Sequence, residues 1–167
     1  DAWIQAAPPP LVSEWRGLAG ATRARHKLAL TLARRIERRL ETAGIPHLWL
    51  KGPVLQEGCY TGWFPRRYDD LDVVVPPDRI DETLLLLEEA GYKAPQGKKT
   101  QNFIRRFHFH LVLHHTHPSM LKLELHWHIV DFTNLYRIDL PSLFECSLPA
   151  EASPAGLRQL CVEDQLL

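Results

Sequence analysis

Two aspartates separated by one leucine, Asp70 and Asp72, begin a short apolar run, 73–75, that ends at Pro76-Pro77. Residues i and i+2 of a β-strand face the same side of a sheet, so we expect the two carboxylates to lie on one face. Like charges at this spacing repel each other unless a proton or a cation lies between them, and carboxylate oxygens suit Mg2+ or Mn2+. The pattern therefore predicts a strand that carries half of a divalent-metal site.

A third carboxylate, Glu124, lies in a second segment of alternating apolar and polar residues, 120–127. Leu121, Leu123 and Leu125 share one face of the predicted strand, and Glu124 lies on the other. Three carboxylates on two strands could bind one or two divalent ions. The sequence thus predicts a site that a sheet assembles from distant parts of the chain.

The composition is that of one ordinary globular domain, with 167 residues, 45% hydrophobic and 24% charged. Twenty basic residues balance twenty acidic ones, so no overall charge requires nucleic acid or an anionic membrane as a partner. The three cysteines include no Cys-x-x-Cys pair, which argues against a disulfide framework and favours a reducing compartment. No apolar stretch approaches the roughly 20 residues of a membrane helix. We expect a cytoplasmic protein with no membrane partner.

Prolines mark the expected organisation of the chain. The proline-rich segment up to Pro10 predicts an extended lead-in over 1–12, followed by the main domain over 13–150. A helix that starts at Pro154 or soon after is expected to open a C-terminal helical region over 151–167. Because this last pattern lacks a Gly or Pro stop signal, we expect it to be truncated and the chain to be a fragment of a longer protein.

The spacing of apolar and turn residues predicts alternating helices and strands. One long helix, or two with a break near 17–20, is expected between Ser13 as N-cap and Gly44 as C-terminal cap. A strand over 45–50, a helix from Pro53 to Tyr60 and a loop over 61–65 are expected next, before the strand with the two aspartates. We then expect a helix over 79–90 that is capped by Asp78 and buries residues 84–87. Two strands over 104–113 and 121–128 are expected to form a hairpin. This order predicts an α/β fold with helices packed on a small sheet.

The order and spacing of the motifs carry a family resemblance. The Lys51-Gly52 turn precedes a helix, then Arg66 and the paired aspartates, and then Glu124-Leu125-His126. From Ile45 to Ile129, about half of the chain, the sequence resembles a nucleotidyltransferase of the polymerase-β superfamily, and more narrowly a bacterial family within it. The resemblance implies an α/β (α+β) fold with a small mixed sheet. It also implies metal-dependent transfer of a nucleoside monophosphate from a nucleoside triphosphate to an acceptor hydroxyl, with release of pyrophosphate.

The resemblance implies a role for each matching residue. The catalytic metal ligands would be Asp70, Asp72 and Glu124, holding two Mg2+ or Mn2+ ions. Gly52 would approach the triphosphate. Lys51 and Arg66 lie beside this turn and the aspartates in the sequence, where cations could contact phosphate oxygens, and of the two Arg66 matches the family pattern. Two metals about 4 Å apart can stabilise both the attacking and the leaving oxygen. Pro53 departs from the broader superfamily, whose turn continues with Gly or Ser, and it removes a backbone N–H that could donate to phosphate.

Histidines are concentrated in one part of the chain. Seven of the nine lie between His108 and His128. Alternate histidines share a strand face, so a zinc site is conceivable, but no cysteine or familiar zinc spacing accompanies them. They could equally pack beside the neighbouring aromatic residues. We expect His126, two residues after Glu124, to contact the active site or to orient a carboxylate, and we expect less of His108 and His110.

Three functions remain open at this point. The first is the nucleotidyltransferase. The second is a nucleotide-binding or partner-binding module that keeps the fold without turnover, and the third is a histidine-based metallohydrolase. The acceptor could be a protein, an RNA or a small molecule, because superfamily membership does not fix it. The preferred base and the oligomeric state are not predicted.

Overall fold

The computed structural model describes residues 7–60, 66–95, 98–129, 138–161 and 164, with the backbone alone described for 98–102. The expected loop over 61–65 lies outside these residues. The helices are α1 (Pro9–Thr42), α2 (Gly52–Cys59), α3 (Ile80–Glu89), α4 (Lys98–Phe107) and α5 (Leu140–Glu145). The strands are β1 (Leu48–Leu50), β2 (Asp70–Val74), β3 (Tyr92–Lys93), β4 (His110–His115) and β5 (Lys122–His126). Short 3-10 turns occupy Pro77–Arg79 and Ala150–Ala152.

The five strands form one mixed sheet in the order β1-β2-β5-β4-β3. β2 and β5 are parallel neighbours, whereas the other three pairs are antiparallel. The expected hairpin between β4 and β5 is confirmed, and the N–H of Met120 donates to the carbonyl of His117 within its turn. The predicted α/β (α+β) class with a small mixed sheet and packed helices is therefore correct.

The sheet separates its apolar and polar residues by face. Leu71, Val73, Leu123 and Leu125 are fully buried in the main core, together with residues of α1. The residues between them alternate to the opposite face, which carries Asp72 and the other polar residues of β2 and β5. On that face a smaller apolar cluster is formed by Leu48, Leu50, Val74, Leu140, Leu143 and Leu160. Among the polar residues of this face, Asp72 and His126 are buried, whereas Asp70 and Glu124 are partly exposed.

α1 is one continuous helix that begins earlier than predicted. It starts at Pro9, so residues 9–12 are helical and the expected extended lead-in and the N-cap at Ser13 are wrong there. Proline is accepted in the first helical turn, where its missing N–H would have no partner in any case. The expected stop is confirmed: Gly44 has φ +61°, and the N–H of Ile45 bonds back to the carbonyl of Leu40 at 2.9 Å.

The start of α3 also differs from the prediction. Pro77 places Asp78 in a 3-10 turn, and the N-cap position of α3 is taken by Arg79. Of the run 84–87, which was expected to be buried, only Leu87 is, whereas Leu85 is 66% exposed. A helix turns 100° per residue, so four consecutive residues cannot all face one core.

The predicted strand over 104–113 is wrong in its first half. Residues 98–107 form α4, and the strand β4 begins at His110. Phe103 and Phe107 lie one helical turn apart, with ring centroids separated by 4.8 Å, and Ile104 packs against the main core. This is the i, i+4 spacing of a helix, which the apolar run concealed. The two-residue strand β3, paired with β4, was not predicted because it is too short to show a period.

Residues 154–161 of the C-terminal segment pack against the sheet, and in this described stretch the helix expected from Pro154 is absent. Residues 154–161 contain turns, and Gln159 forms single bridges with Trp49 and Leu148. Gly156, with φ +64°, breaks a helix that Pro154 could have opened. Ala155 and Leu157 are fully buried in the main core. No pattern in the sequence had predicted α5.

In the part of the chain that the structure describes, no helix combines the length and the apolar composition needed to cross a membrane.

Candidate active site

The turn between β1 and α2 has an unusual backbone. Lys51 has φ 45° and ψ −138°, and it is the one non-glycine residue with positive φ in the described ranges. Gly52 follows with φ 34°. A Cβ on Gly52 would lie 3.5 Å from the ring of Tyr68 and 3.7 Å from the carbonyl oxygen of Asp70, so α2 starts close to β2. Such conformations cost about 1–3 kcal/mol for a residue with a side chain and cluster at functional sites.

Asp72 is the buried centre of the polar face. Its side chain is 3% exposed, and its Oδ1 lies 3.2 Å from Nε2 of His126 and 3.7 Å from Nζ of Lys51. The side chain of Lys51 is 61% exposed, and its ammonium extends towards the buried carboxylate. Isolated buried charges are costly, and these two partners offset part of that cost.

Glu124 and His126 complete a compact group with Asp72. Glu124 is the register partner of Asp72 across the parallel β2–β5 pair. Oε2 of Glu124 lies 3.5 Å from Nε2 of His126. The three residues each offer one ligand atom, and these atoms all lie within 4.8 Å of one another. Within the described ranges this is the one group of three such residues with the spacing to hold a metal ion.

Asp70 lies outside this group. It begins β2, is partly exposed, and has Lys122 as its register partner. Residues i and i+2 are about 6.6 Å apart along a strand, whereas register partners on neighbouring strands are about 4.8 Å apart. Asp72 therefore meets Glu124 across the sheet more closely than it meets Asp70 along its own strand. Asp70 and Asp72 share a face of β2 as expected, and the joint role of the two aspartates in metal binding stays a prediction.

His126 contacts both carboxylates of the group, as expected, but His110 is closer to the site than the sequence suggested. His110 is the register partner of His126, and the two rings stack with centroids 5.0 Å apart. Nε2 of His110 lies 3.9 Å from Oε2 of Glu124. Burial and the neighbouring His126 lower the pKa of His110, which favours its neutral form at pH 7. The hairpin predicted from sequence could have revealed this pair had its register been worked out.

The other histidines of the predicted cluster do not assemble a metal site in the described part of the chain. Nδ1 of His115 accepts the backbone N–H of His117 at 2.9 Å, and Nδ1 of His117 accepts that of Ser119. The group around Asp72 is the one with metal-binding spacing there, and it includes neither of these histidines. These contacts assign the two rings to the hairpin turn.

A hydrogen-bond network that includes Tyr68 lies next to the Lys51-Gly52 turn. The hydroxyl of Tyr68, whose ring faces Gly52, lies 2.7 Å from Nδ1 of His26 on α1. Nε2 of His26 lies 2.6 Å from Oε1 of Glu57 on α2. Burial, followed by the charge of Glu57, raises the pKa of Tyr68 far above its ordinary value, so the hydroxyl keeps its proton. No sequence motif indicated this network, because its members come from three separate elements.

Arg66, the remaining predicted cation, lies next to this network. Its backbone N–H bonds to the side chain of Gln56 on α2. Its Nη1 is buried without a hydrogen-bond partner among the described residues, and its positive charge acts on Tyr68. The structure therefore places Arg66 beside Gln56 of α2, and its predicted contact with phosphate stays a prediction.

An apolar pocket opens beside the three-residue group. Its volume is about 240 Å³, and its lining includes Lys51, Leu55, Phe109 and His126. The ring of Phe109 lies 5.8 Å from that of His126. The lining of the pocket thus combines the cationic Lys51, His126 of the three-residue group and apolar side chains.

The chain matches a known protein family over nearly its whole length. A family model described as "Uncharacterised nucleotidyltransferase" matches residues 2–167. The chain belongs to this family. This agrees with the nucleotidyltransferase family that the sequence predicted. No curated protein sequence matches the chain significantly.

Two solved structures of ANT(2'')-Ia are similar to the chain. The crystal structure of ANT(2'')-Ia in complex with adenylyl-2''-tobramycin is 16% identical, with a TM-score of 0.50 over 79% of this chain and 68% of that one. The solution structure of the antibiotic-resistance factor ANT(2'')-Ia is 17% identical, with a TM-score of 0.49 over 79% of this chain. This chain spans 63% of the length of the latter protein. The likeness to the crystal structure supports a polymerase-β-like nucleotidyltransferase fold for this chain.

Proposed function

We propose that this protein transfers a nucleoside monophosphate from a nucleoside triphosphate to an acceptor hydroxyl in a metal-dependent reaction that releases pyrophosphate. The observation that carries the proposal is the group of Asp72, Glu124 and His126, whose ligand atoms lie within 4.8 Å of one another. The group lies beside the Lys51-Gly52 turn, as Lys51 is 3.7 Å from Asp72. Family membership supports nucleotidyl transfer, and the donor set supports a divalent ion.

The donor set fits a divalent ion in both charge and chemistry. Asp72 and Glu124 provide two carboxylates at the same level of neighbouring strands. Asp70 begins the same strand as Asp72, and we assign it to the rim of the site as a further oxygen ligand. One or two Mg2+ or Mn2+ ions, when bound, neutralise charge on the α-phosphate and on the departing pyrophosphate.

The triphosphate would be held by cations at the turn. The ammonium of Lys51 is largely exposed and can exchange part of its contact with Asp72 for a phosphate oxygen. Arg66 retains a buried Nη1 without a partner in the described ranges. Gly52 opens α2, whose positive end favours an anion, although Pro53 removes one of its N–H donors.

The acceptor hydroxyl attacks the α-phosphorus, the bond to the β-phosphate oxygen breaks, and pyrophosphate leaves. The proton of the hydroxyl must be accepted, and Glu124 is the partly exposed carboxylate, 23%, of the close group that also contains Asp72 and His126. Its neighbour His110 is a neutral ring at pH 7 and adds no competing positive charge. We assign Glu124 to metal binding and, as the reaction proceeds, to this proton.

We propose several chemical classes for the acceptor. The structural neighbour ANT(2'')-Ia was crystallised with adenylyl-2''-tobramycin, so a small hydroxylated molecule is one candidate, beside a protein or an RNA. The apolar pocket of about 240 Å³ would take an apolar or aromatic part of either substrate. A cytoplasmic location stays a prediction from the cysteine content.

The test is transfer of label from nucleoside triphosphates carrying 32P at the α-position, with Mg2+ or Mn2+, into protein, RNA or small-molecule fractions. Asp72→Asn should reduce transfer on the order of 100-fold, because it removes one charge from the ligand set. Asp69→Asn is the matched control, since Asp69 is exposed and paired with Arg25 and Arg67. Metal-dependent binding without transfer would favour the non-catalytic module. Zinc-dependent hydrolysis that is lost on substitution of the 108–117 histidines would favour the metallohydrolase.

A further inference from the structure

We infer that His126 is itself a ligand of the divalent ion, through Nε2, and that this imidazole makes the site prefer Mn2+ to Mg2+. The inference rests on the proposed function, because it specifies the metal site on which that function depends. It assigns to His126 a direct bond to the ion in place of an orienting hydrogen bond to a carboxylate.

The ligand-to-ligand distances support a shared ion. Nε2 of His126 lies 3.2 Å from Oδ1 of Asp72 and 3.5 Å from Oε2 of Glu124. Two donor atoms that are each about 2.1 Å from one ion are about 3.0 Å apart at a right angle and about 3.4 Å apart at a tetrahedral angle. Both measured distances are therefore close to edges of a coordination polyhedron. Small side-chain movements suffice for the three atoms to bind one ion.

The burial of the ring keeps Nε2 in this place. The side chain of His126 is 3% exposed, and its ring stacks on that of His110 and lies near that of Phe109. A ring packed on two sides cannot turn away from the carboxylates without disturbing β4. The imidazole is thus pre-positioned at the carboxylates, whether or not an ion is present.

The choice of metal follows from the donor types. Mg2+ is bound mainly by oxygen ligands and water, whereas imidazole suits transition metals and Mn2+ also accepts carboxylates. The close group contains two carboxylates and one nitrogen donor, and Asp70 is not one of its members. Asp72 and Glu124 supply two negative charges and a neutral imidazole supplies none, which matches a divalent ion. The nitrogen therefore biases the site towards Mn2+.

The experiment is pulsed electron paramagnetic resonance of the protein with Mn2+ alone, combined with calorimetric titration of Mn2+ and Mg2+. A histidine ligand couples its nitrogen to the Mn2+ electron spins, and labelling histidine with 15N changes that signal. The variants are His126→Gln, with His126→Asn as a smaller alternative should the first fold poorly. His110→Gln is the matched control, because it removes the stacked neighbour whose Nε2 is 3.9 Å from Glu124.

We expect nitrogen coupling in the wild-type protein and in His110→Gln, and none in the His126 variants. Loss of the ligand should weaken Mn2+ binding about 10-fold or more and Mg2+ binding by less than about 3-fold. Mn2+ bound without nitrogen coupling in the wild-type protein would overturn the inference and leave metal-dependent transfer standing. Retained coupling in both His126 variants would also overturn it. Absence of Mn2+ binding would overturn both the inference and the metal dependence of the proposed function.

Discussion

Lys51 combines an unfavourable backbone conformation with a charge at the candidate site. Its φ of 45° and ψ of −138° are rarely adopted by residues other than glycine, yet its ammonium lies 3.7 Å from the buried Asp72. A glycine would suit the backbone but would supply no charge. The combination is understandable if the lysine side chain is retained for function and its strain is offset elsewhere in the fold.

Comparison of Lys51→Gly with Lys51→Ala separates the two roles. Both variants lose the ammonium, so both should bind nucleoside triphosphates more weakly, by about 10-fold or more. Only the glycine variant relieves the strain, and we expect it to exceed the alanine variant by about 1 kcal/mol in free energy of unfolding. Urea denaturation and nucleotide titration measure the two effects. Equal stability of the two variants would show that the turn is not strained.

At the residue scale, the alternating pattern was sufficient to place Asp72, Glu124 and His126 on one face of the sheet, but not to identify the side chains that contact them. Period-two alternation placed these side chains on the faces that the structure shows. His110 was undervalued because its position depends on the register of β4 against β5, which no single strand reveals. The contact of His26 with Tyr68 joins positions 42 residues apart and has no local signature.

A buried hydrogen-bond network around Glu37 joins α1, β1 and the C-terminal segment. Glu37 of α1 accepts hydrogen bonds from His47, from the indole of Trp49 and from the backbone N–H of Arg158. Burial alone would raise the pKa of Glu37, but the hydrogen bond and charge of His47 and the other two donors together hold this pKa below its ordinary value of 4.5. The carboxylate therefore ties the C-terminal segment to α1 and to the strand that leads into the Lys51-Gly52 turn.

The lowered pKa gives this network a defined pH dependence. A carboxyl group whose pKa is lower in the folded state contributes stability above its unfolded pKa and loses it as the pH falls through the folded value. Glu37→Gln should lower the free energy of unfolding by about 1–3 kcal/mol at pH 7. The difference from the wild-type protein should shrink steadily below pH 4.5.

Urea denaturation at pH 7 and at several values below pH 4.5 measures this difference. Glu41→Gln is the control, because Glu41 is exposed one turn further along α1. A difference between wild-type protein and Glu37→Gln that is constant with pH would assign the acid sensitivity to other carboxylates.

At the element scale, prediction succeeded where a hydrophobic pattern repeated over several turns or residues. It failed where the conformation of turn residues determines which element forms. The C-terminal stop of α1 and the strands β2 and β5 followed directly from Gly44 and from alternation. α4 was mistaken for a strand because a short apolar run fits both periods. The helix expected from Pro154 is replaced by turns, since Gly156 takes a positive φ and Ala155 accepts a hydrogen bond from Arg34 at 2.7 Å.

For the molecule as a whole, the sheet divides stability from chemistry. One face is covered by α1 and α3 and holds the main core, whereas the other holds the candidate site beside the smaller apolar cluster. The family and the mixed sheet were predictable because order and spacing of the motifs report topology. The packing of the C-terminal segment on both clusters was not, because its contacts with Trp49 and Arg34 are distant in sequence. The domain boundary after residue 150 stays a prediction.

The most direct test of the central claim is calorimetric titration of the protein with each of the four nucleoside triphosphates, with and without Mn2+ or Mg2+, beside Asp72→Asn. The account predicts that at least one triphosphate binds only with the metal, and that Asp72→Asn weakens this binding on the order of 100-fold while the fold is retained. Binding that is independent of the metal, or equal in Asp72→Asn, would contradict a catalytic metal site at Asp72, Glu124 and His126.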